Sequence, residues 1–386
     1  MRKLNILHII TKLELGGAQE NTLYTLKNLD RKRYNLFLAA NDEGILVEEA
    51  KRMKDVEAFF IPELIRPISP LKDLMALVKL FRFCKREKID IIHTHSSKAG
   101  ILGRGAAKLA RVPIITHTIH GWGFYPKQGL LKKRLFIFLE KMTAKITDRL
   151  IAVSRANIET GIENRIGRKE KYTLIRSGIK PFRFQNVEVD VAEKKKELGL
   201  EEDTKVVAMI ACLKPQKAPL DFVKVANQVI KKRPKTQFLL IGDGRLRPEI
   251  ERLIKTFDLE KKVILAGWRK DIPQILKVID VLTLTSRWEG LPRVFPEAMA
   301  SELPIVATKV DGASEAVEEG VNGFLISVGD IGGMAEKIIS LLDNPGMAKK
   351  MGKKGKEKVF PEFDIDLMVE KIDDLYQELT RTKGLQ

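Results

Sequence analysis

In the stretch EGLPRVFPE two carboxylates, Glu289 and Glu297, stand eight residues apart around two prolines, a glycine and an arginine. Paired acids suggest acid and base work, but the residues between them offer a second reading. Pro296 suits the first turn of a helix, which places Glu297 near that helix's N-terminus and Glu289 in the loop before it. The amides of Gly290 and Leu291, with Arg293 beside them, can then cradle an anion. The plainer alternative is a surface glutamate that stabilises a helix dipole.

Other residues of chemical type fall in similar places. Gly16 and Gly17, in LELGGAQENTL, open a helical pattern and can take positive φ where a backbone must approach a ligand. A diphosphate fits such a helix start, and so does an ordinary turn. The spacing matches neither G-x-G-x-x-G nor the Walker loop. Lys214 and Lys217, in ACLKPQKAPLDF, can hold phosphate oxygens or remain solvated. Four of the five histidines, His93, His95, His117 and His120, fall at strand ends. They lack zincin spacing and flanking carboxylates, so no metal is expected. His120, followed by Gly121, is best placed to face a cleft, whereas His93 reads as buried and structural.

The elements that carry these residues alternate between short β-rich runs and amphipathic helical patterns. NILHII, NLFLAA, VEAFFIP, IDIIHTH, PIITHTI, RLIAVS and YTLIRSG are the strands of a first half. After a polar stretch near 181–200 the pattern restarts with KVVAMIACL, QFLLIGDG, KVILAGW, DVLTLTS, PIVATKV and NGFLI. Such alternation predicts parallel sheets covered on both faces, in two doubly wound α/β domains. Ligands then bind beyond the carboxyl ends of the strands, where the singled-out residues lie. The expected divisions are 1–180, 181–362, and a C-terminal helix over 363–386 that packs back on the first domain.

The assembled pieces resemble the retaining glycosyltransferases of family 4. They are GGAQ, the HG of 120 and 121, VSRAN, IRSGI, LKPQKAPLDF, GDGRLRPEIE and EGLPRVFPEAMASELPIVAT, which run in order along nearly the whole chain. The two glutamates match the E-x7-E motif of that family. The resemblance implies a GT-B fold, with two Rossmann-like domains facing across a cleft, and sugar transfer from a nucleotide-sugar, UDP- or GDP-linked, without cofactor or metal. It implies that Glu297 binds the ribose and Glu289 the donor sugar, that Lys217 binds the diphosphate, and that amides of Gly17 and around Leu291 help. It also places His120 beside the anomeric centre, and the base near Gly267, Trp268 and Arg269. The chain departs from the pattern at Cys212, where the family commonly has an arginine that Lys214 or Arg293 can replace. It departs again at RSGIK, which lacks the family's acid.

Charge and composition narrow the partners. Net charge is +18, and residues 1–180 hold 35 Lys and Arg against 18 Asp and Glu, while the remainder holds 34 against 33. The basic half should meet something anionic: membrane, nucleic acid or a phosphorylated substrate. Nucleic acid is disfavoured, because no recognised motif occurs and aromatics are only 6%. The segment 127–145 mixes Lys132, Lys133 and Arg134 with Leu135, Phe136, Phe138 and Leu139, which suits either a helix with its apolar side in the core or one touching anionic lipid. Two cysteines and no long apolar run predict a cytoplasmic protein, at the inner membrane face if lipid-linked acceptors are used. The expected function is transfer to a saccharide or lipid-linked acceptor in cell-envelope polysaccharide or glycolipid synthesis. A nucleotide-sugar 2-epimerase of the same fold is the alternative.

Overall fold

The structure, a computed structural model, describes residues 2–125 and 128–385. Lys127, where the expected lipid-facing segment begins, lies outside these residues. The chain forms two compact units, one built from residues up to Ser177 together with the stretch from Ile365, the other from Gly178 to Asp364. It thus leaves the first unit three residues before the expected division at 180 and re-enters it at 365, not 363.

In the first unit the strands are β1 (Leu4–Ile9), β2 (Tyr34–Ala40), β3 (Val56–Phe60), β4 (Ile91–His95), β5 (Ile114–Ile119), β6 (Arg149–Ala152) and β7 (Tyr172–Leu174). They pair in parallel in the order β3-β2-β1-β4-β5-β6-β7, so the winding reverses between β1 and β4. Side chains alternate across a strand. Ile6, Leu36, Leu38 and Ile91 therefore join one core, and Leu7, Ile9, Phe37 and Ile92 the other. The C-terminal helix Ile365–Thr382 completes the first of these cores with Met368, Val369, Ile372, Leu375, Tyr376 and Leu379. Its buried positions recur every three or four residues, the period of one helix face.

The second unit repeats the plan with β8 (Lys205–Ile210), β9 (Thr236–Ile241), β10 (Val263–Gly267), β11 (Val281–Leu284), β12 (Ile305–Thr308) and β13 (Gly323–Ile326). Its order is β10-β9-β8-β11-β12-β13, all parallel, with the reversal between β8 and β11. β9 is buried along its whole length, as expected of a strand covered on both faces.

Candidate functional site

Within the second unit the reversal between β8 and β11 brings two loops together. The loop after β11 leads through Glu289 into the short helix Val294–Ala300, and the loop after β8 leads through Lys214 and Lys217 into the helix Pro219–Lys232. Thr285 ties them, donating its hydroxyl to the carbonyls of Lys217 at 2.9 Å and Ala218 at 3.0 Å. Gln216 adds a bond from its amide nitrogen to the Trp288 carbonyl at 2.9 Å. The loop after β9 closes on the same place. Gly242, at φ +121°, lies so near Ala211 that a Cβ there would meet the Ala211 carbonyl oxygen at 2.1 Å. A side chain at that position would hold the two loops apart.

Glu289 is buried, and its carboxylate is held by the Lys217 ammonium and by the Ser286 hydroxyl at 2.6 Å. Its backbone amide donates to Asp311 at 2.6 Å. Burial pushes the Asp311 carboxyl up, with the Glu289 charge adding to the effect and the Glu289 amide opposing it. Gly290 and Leu291 are buried in the loop, and Gly290 accepts from the Gly312 amide at 3.1 Å. Glu297 faces Arg293 across one helical turn at 3.5 Å, and both are half-buried. Cys212 and Lys214 are half-buried after β8. These residues are one cluster of acids, cations and amides at the carboxyl edge of the sheet, where ligands of such folds bind.

At β10's end, Gly267 has φ +64° and Trp268 is exposed. Arg269 is committed elsewhere: its guanidinium pairs with both Asp271, at 2.7 Å through Nε, and Glu197. These charge-assisted bonds hold Asp271 well below the usual carboxylate range. Arg269 thus braces the loop with its charge already spent.

In the first unit Gly16 precedes the helix Gly17–Asn28 with φ −178°, extended backbone open to any residue, so the positive φ that glycine allows is not used there. A Cβ at Gly16 would meet only the flexible end of Gln19. The histidines are gathered by register. His8 stands opposite His93 in the β1–β4 ladder, and His95 opposite Thr118 in the β4–β5 ladder, all on the face covered by the C-terminal helix. His8 Nδ1 hydrogen-bonds His95 Nε2 at 3.0 Å, and His95 Nδ1 hydrogen-bonds His120 Nε2 at 3.2 Å. Tyr376 bridges His8 Nε2 at 3.1 Å and His93 Nδ1 at 2.5 Å, and His93 Nε2 meets Thr118 at 2.7 Å. The nitrogens of His8, His93 and His95 cluster within 4.8 Å, the separation a metal ion needs, but every one of them is already engaged in a hydrogen bond. Burial pushes His8 down to about 3 and His120 to about 4. His117 sits on the opposite face, bonded to Thr94 at 2.9 Å.

Sequence reasoning missed His8 and Tyr376, because a lone histidine in an apolar strand and a tyrosine in a helix carry no local signal. It missed Ser286 and Asp311 for the same reason. The helix Leu130–Lys145 shares features of both expected readings: Phe136 and Ile137 pack against a core cluster beside the buried Glu140, Thr143 and Ala144, while Leu131, Leu135, Phe138 and Met142 are exposed at helical spacing.

Comparison with known proteins agrees with this architecture. Residues 15–183 match the family model described as Glycosyltransferase Family 4, and residues 190–358 that described as Glycosyl transferases group 1. The UDP-Gal:alpha-D-GlcNAc-diphosphoundecaprenol alpha-1,3-galactosyltransferase of Escherichia coli is 35% identical over 99% of this chain and 98% of its own length. The capsular polysaccharide biosynthesis glycosyltransferase CapM of Staphylococcus aureus is 24% identical over 97% of each chain. Among solved structures, Anabaena HepE in complex with UDP and glucose matches with a TM-score of 0.84 at 23% identity, over 97% of this chain and 100% of that one. WaaG, a glycosyltransferase involved in lipopolysaccharide biosynthesis, matches at 0.80 and 14% identity, over 96% and 99%. Two parallel-sheet units with these neighbours define the GT-B glycosyltransferase fold. The chain belongs to the family 4, or group 1, glycosyltransferases.

Proposed function

We propose that this glycosyltransferase moves a sugar, with retention at the anomeric carbon, from a UDP-sugar to a lipid-diphosphate-linked saccharide in cell-envelope polysaccharide synthesis. The observation that carries the reading is the loop pair after β8 and β11, where Lys217 and Ser286 hold the buried Glu289. Departure of a nucleoside diphosphate develops negative charge on phosphate, and preorganised cations and amides stabilise that charge. Lys217, with Lys214 and Arg293 and the amides of Gly290 and Leu291, supplies them, so no metal is needed. Glu297 takes the ribose hydroxyls and Glu289 the sugar hydroxyls. Trp268 serves the base, and the family resemblance assigns His120 to the donor sugar and the Gly16–Gly17 helix start to the diphosphate. The UDP-Gal named for the E. coli relative and the UDP named in the HepE complex favour UDP over GDP, and UDP-galactose is the first donor to try.

The test is incubation with UDP-sugars and a polyprenyl-diphosphate saccharide in the presence of EDTA. Acceptor-dependent release of UDP, with an α-linked product by NMR, is expected. UDP release indifferent to acceptor, or conversion of the donor to its epimer, would overturn the reading.

Membrane contact belongs to the same proposal. Among the described residues no helix is long and apolar enough to cross a membrane. The stripe of Leu131, Leu135, Phe138 and Met142 is exposed beside Lys132 and Arg134, the pattern of a helix lying in an anionic interface. The helix Ser97–Ala110 packs against both this helix and Pro70–Arg86, which exposes Leu71, Leu74 and Met75. Both exposed stripes therefore belong to one helical layer of the basic half.

A further inference from the structure

The buried chain of Thr118, His93, Tyr376, His8, His95 and His120 is longer than packing requires. A core position filled by an imidazole must satisfy two ring nitrogens, and an apolar residue would fill it without that demand. Four imidazoles and a phenol satisfy one another here in an unbroken line of hydrogen bonds.

A neutral imidazole has one N–H and one bare nitrogen, so a bond accepted on one side obliges a bond donated on the other. Direction therefore propagates along the line. If Thr118 donates to His93, each later member donates onward, and His120 receives at Nε2 and must carry its proton on Nδ1. If Thr118 accepts, every bond reverses, and His120 donates from Nε2 and leaves Nδ1 bare. Mixed states either break a bond inside a dry core or make the Tyr376 hydroxyl accept from both rings with its own hydrogen unpartnered, and each costs about 1–3 kcal/mol for the group left unsatisfied. The line thus has two states in all, and His120 reads out which is occupied.

Both ends of the line, Thr118 and His120, border one cavity together with Asn21 and Ser177. Asn21 is buried and, among the described residues, neither polar atom of its side chain has a hydrogen-bond partner, so the cavity wall retains polar capacity for an incoming group. We propose that His95, His8, Tyr376 and His93 are positioning residues for His120, locking it as one uncharged tautomer and so deciding whether it offers the donor sugar a hydrogen-bond donor or an acceptor. The proposal rests on the glycosyl-transfer reading for its purpose, though not for its geometry.

Tyr376→Phe removes the bridging hydroxyl and keeps the buried ring. Tyr34→Phe is the matched control: Tyr34 donates to Asp373 on the same C-terminal helix at 2.5 Å but takes no part in the line. Protein labelled with 15N-histidine has only five histidines to resolve. In the wild type His120 should show one pyrrole-like and one pyridine-like nitrogen. In Tyr376→Phe the His8, His95 and His120 nitrogens should shift toward tautomer averages, and kcat should fall about tenfold or more while KM for the UDP-sugar stays within about twofold. Tyr34→Phe should leave both readouts unchanged. Should Tyr376→Phe not fold, His8→Phe breaks the same line with a ring of similar volume. Averaged His120 nitrogens in the wild type, an unaltered His120 in the broken-line variant, or equal kcat loss in Tyr34→Phe would overturn the proposal. So would one equivalent of bound metal with chelator-sensitive histidine resonances. The resonances report on the line even if no sugar is transferred, so the two readings fail separately.

Discussion

At the residue scale the two acids of the second unit differ in burial, and the proposed function gives them different roles. Glu289 is enclosed and already partnered by Lys217 and Ser286, whereas Glu297 is half-buried and faces Arg293 at 3.5 Å. Lys217→Ala removes the cation that holds Glu289 and that the proposed function assigns to the leaving phosphate. A loss in kcat/KM of about 10²–10³ is expected, the size seen when one preorganised charge-stabilising group is deleted. Glu297→Ala should weaken UDP binding about tenfold, equivalent to one lost charge-assisted bond of about 1.4 kcal/mol. Glu289→Ala should leave UDP affinity nearly unchanged and lower kcat. Calorimetric titration of UDP into both variants checks this, and equal losses would contradict the division.

At the element scale two contacts define how the first unit's helices behave. Arg104, on Ser97–Ala110, meets Glu140, on Leu130–Lys145, at 2.6 Å with both side chains enclosed. Arg104→Met leaves a carboxylate buried and unpaired, and about 3–5 kcal/mol of stability should disappear. Adding Glu140→Leu should restore most of it, which urea unfolding of the single and double variants would show. On the outer side of the same helix, Leu131→Ser with Phe138→Ser removes exposed apolar surface without touching the buried Glu140. Flotation with anionic vesicles at low salt should fall in this variant, and in the wild type as salt is raised. Wild-type protein that stays at the bottom of the gradient would refute the membrane contact.

For the whole molecule, five neutral histidines within one unit link stability to pH. Burial lowers His8 to about 3 and His120 to about 4, and holds His93, His95 and His117 well below 6.5. In the unfolded chain each titrates near 6.5, so below that pH the unfolded state binds more protons and is favoured. The contribution is intact above 6.5 and is lost as pH falls toward the folded values, up to about 1.4 kcal/mol per pH unit for each histidine. Scanning calorimetry should find Tm falling from pH 7 to pH 5, before most carboxylates titrate. A flat Tm over that range would mean that the histidines are charged or solvated in the native state.

Local pattern and composition alone determined a good deal. Each of the thirteen strands among the described residues was legible as a short β-rich run, because a strand covered on both faces needs apolar residues throughout. The doubly wound class followed from strand and helix alternation, and the motif resemblance pointed to the loops after β8 and β11. Those signals are local in the chain, so a single sequence carries them. Tertiary structure decided what depends on distant partners. Whether Leu131 and Phe138 faced core or solvent turned on which side of their helix met the core, and that side carries Phe136, Ile137 and the Glu140 that pairs with Arg104. Whether Arg269 was free turned on Glu197 and Asp271. His8, one letter in an apolar strand, gained meaning only when parallel register set it opposite His93 and the last helix brought Tyr376, 283 residues from His93, against both. A hydrogen-bonded line across three strands and a helix has no sequence spacing, because the chain visits its members in an order set by winding rather than by neighbourhood.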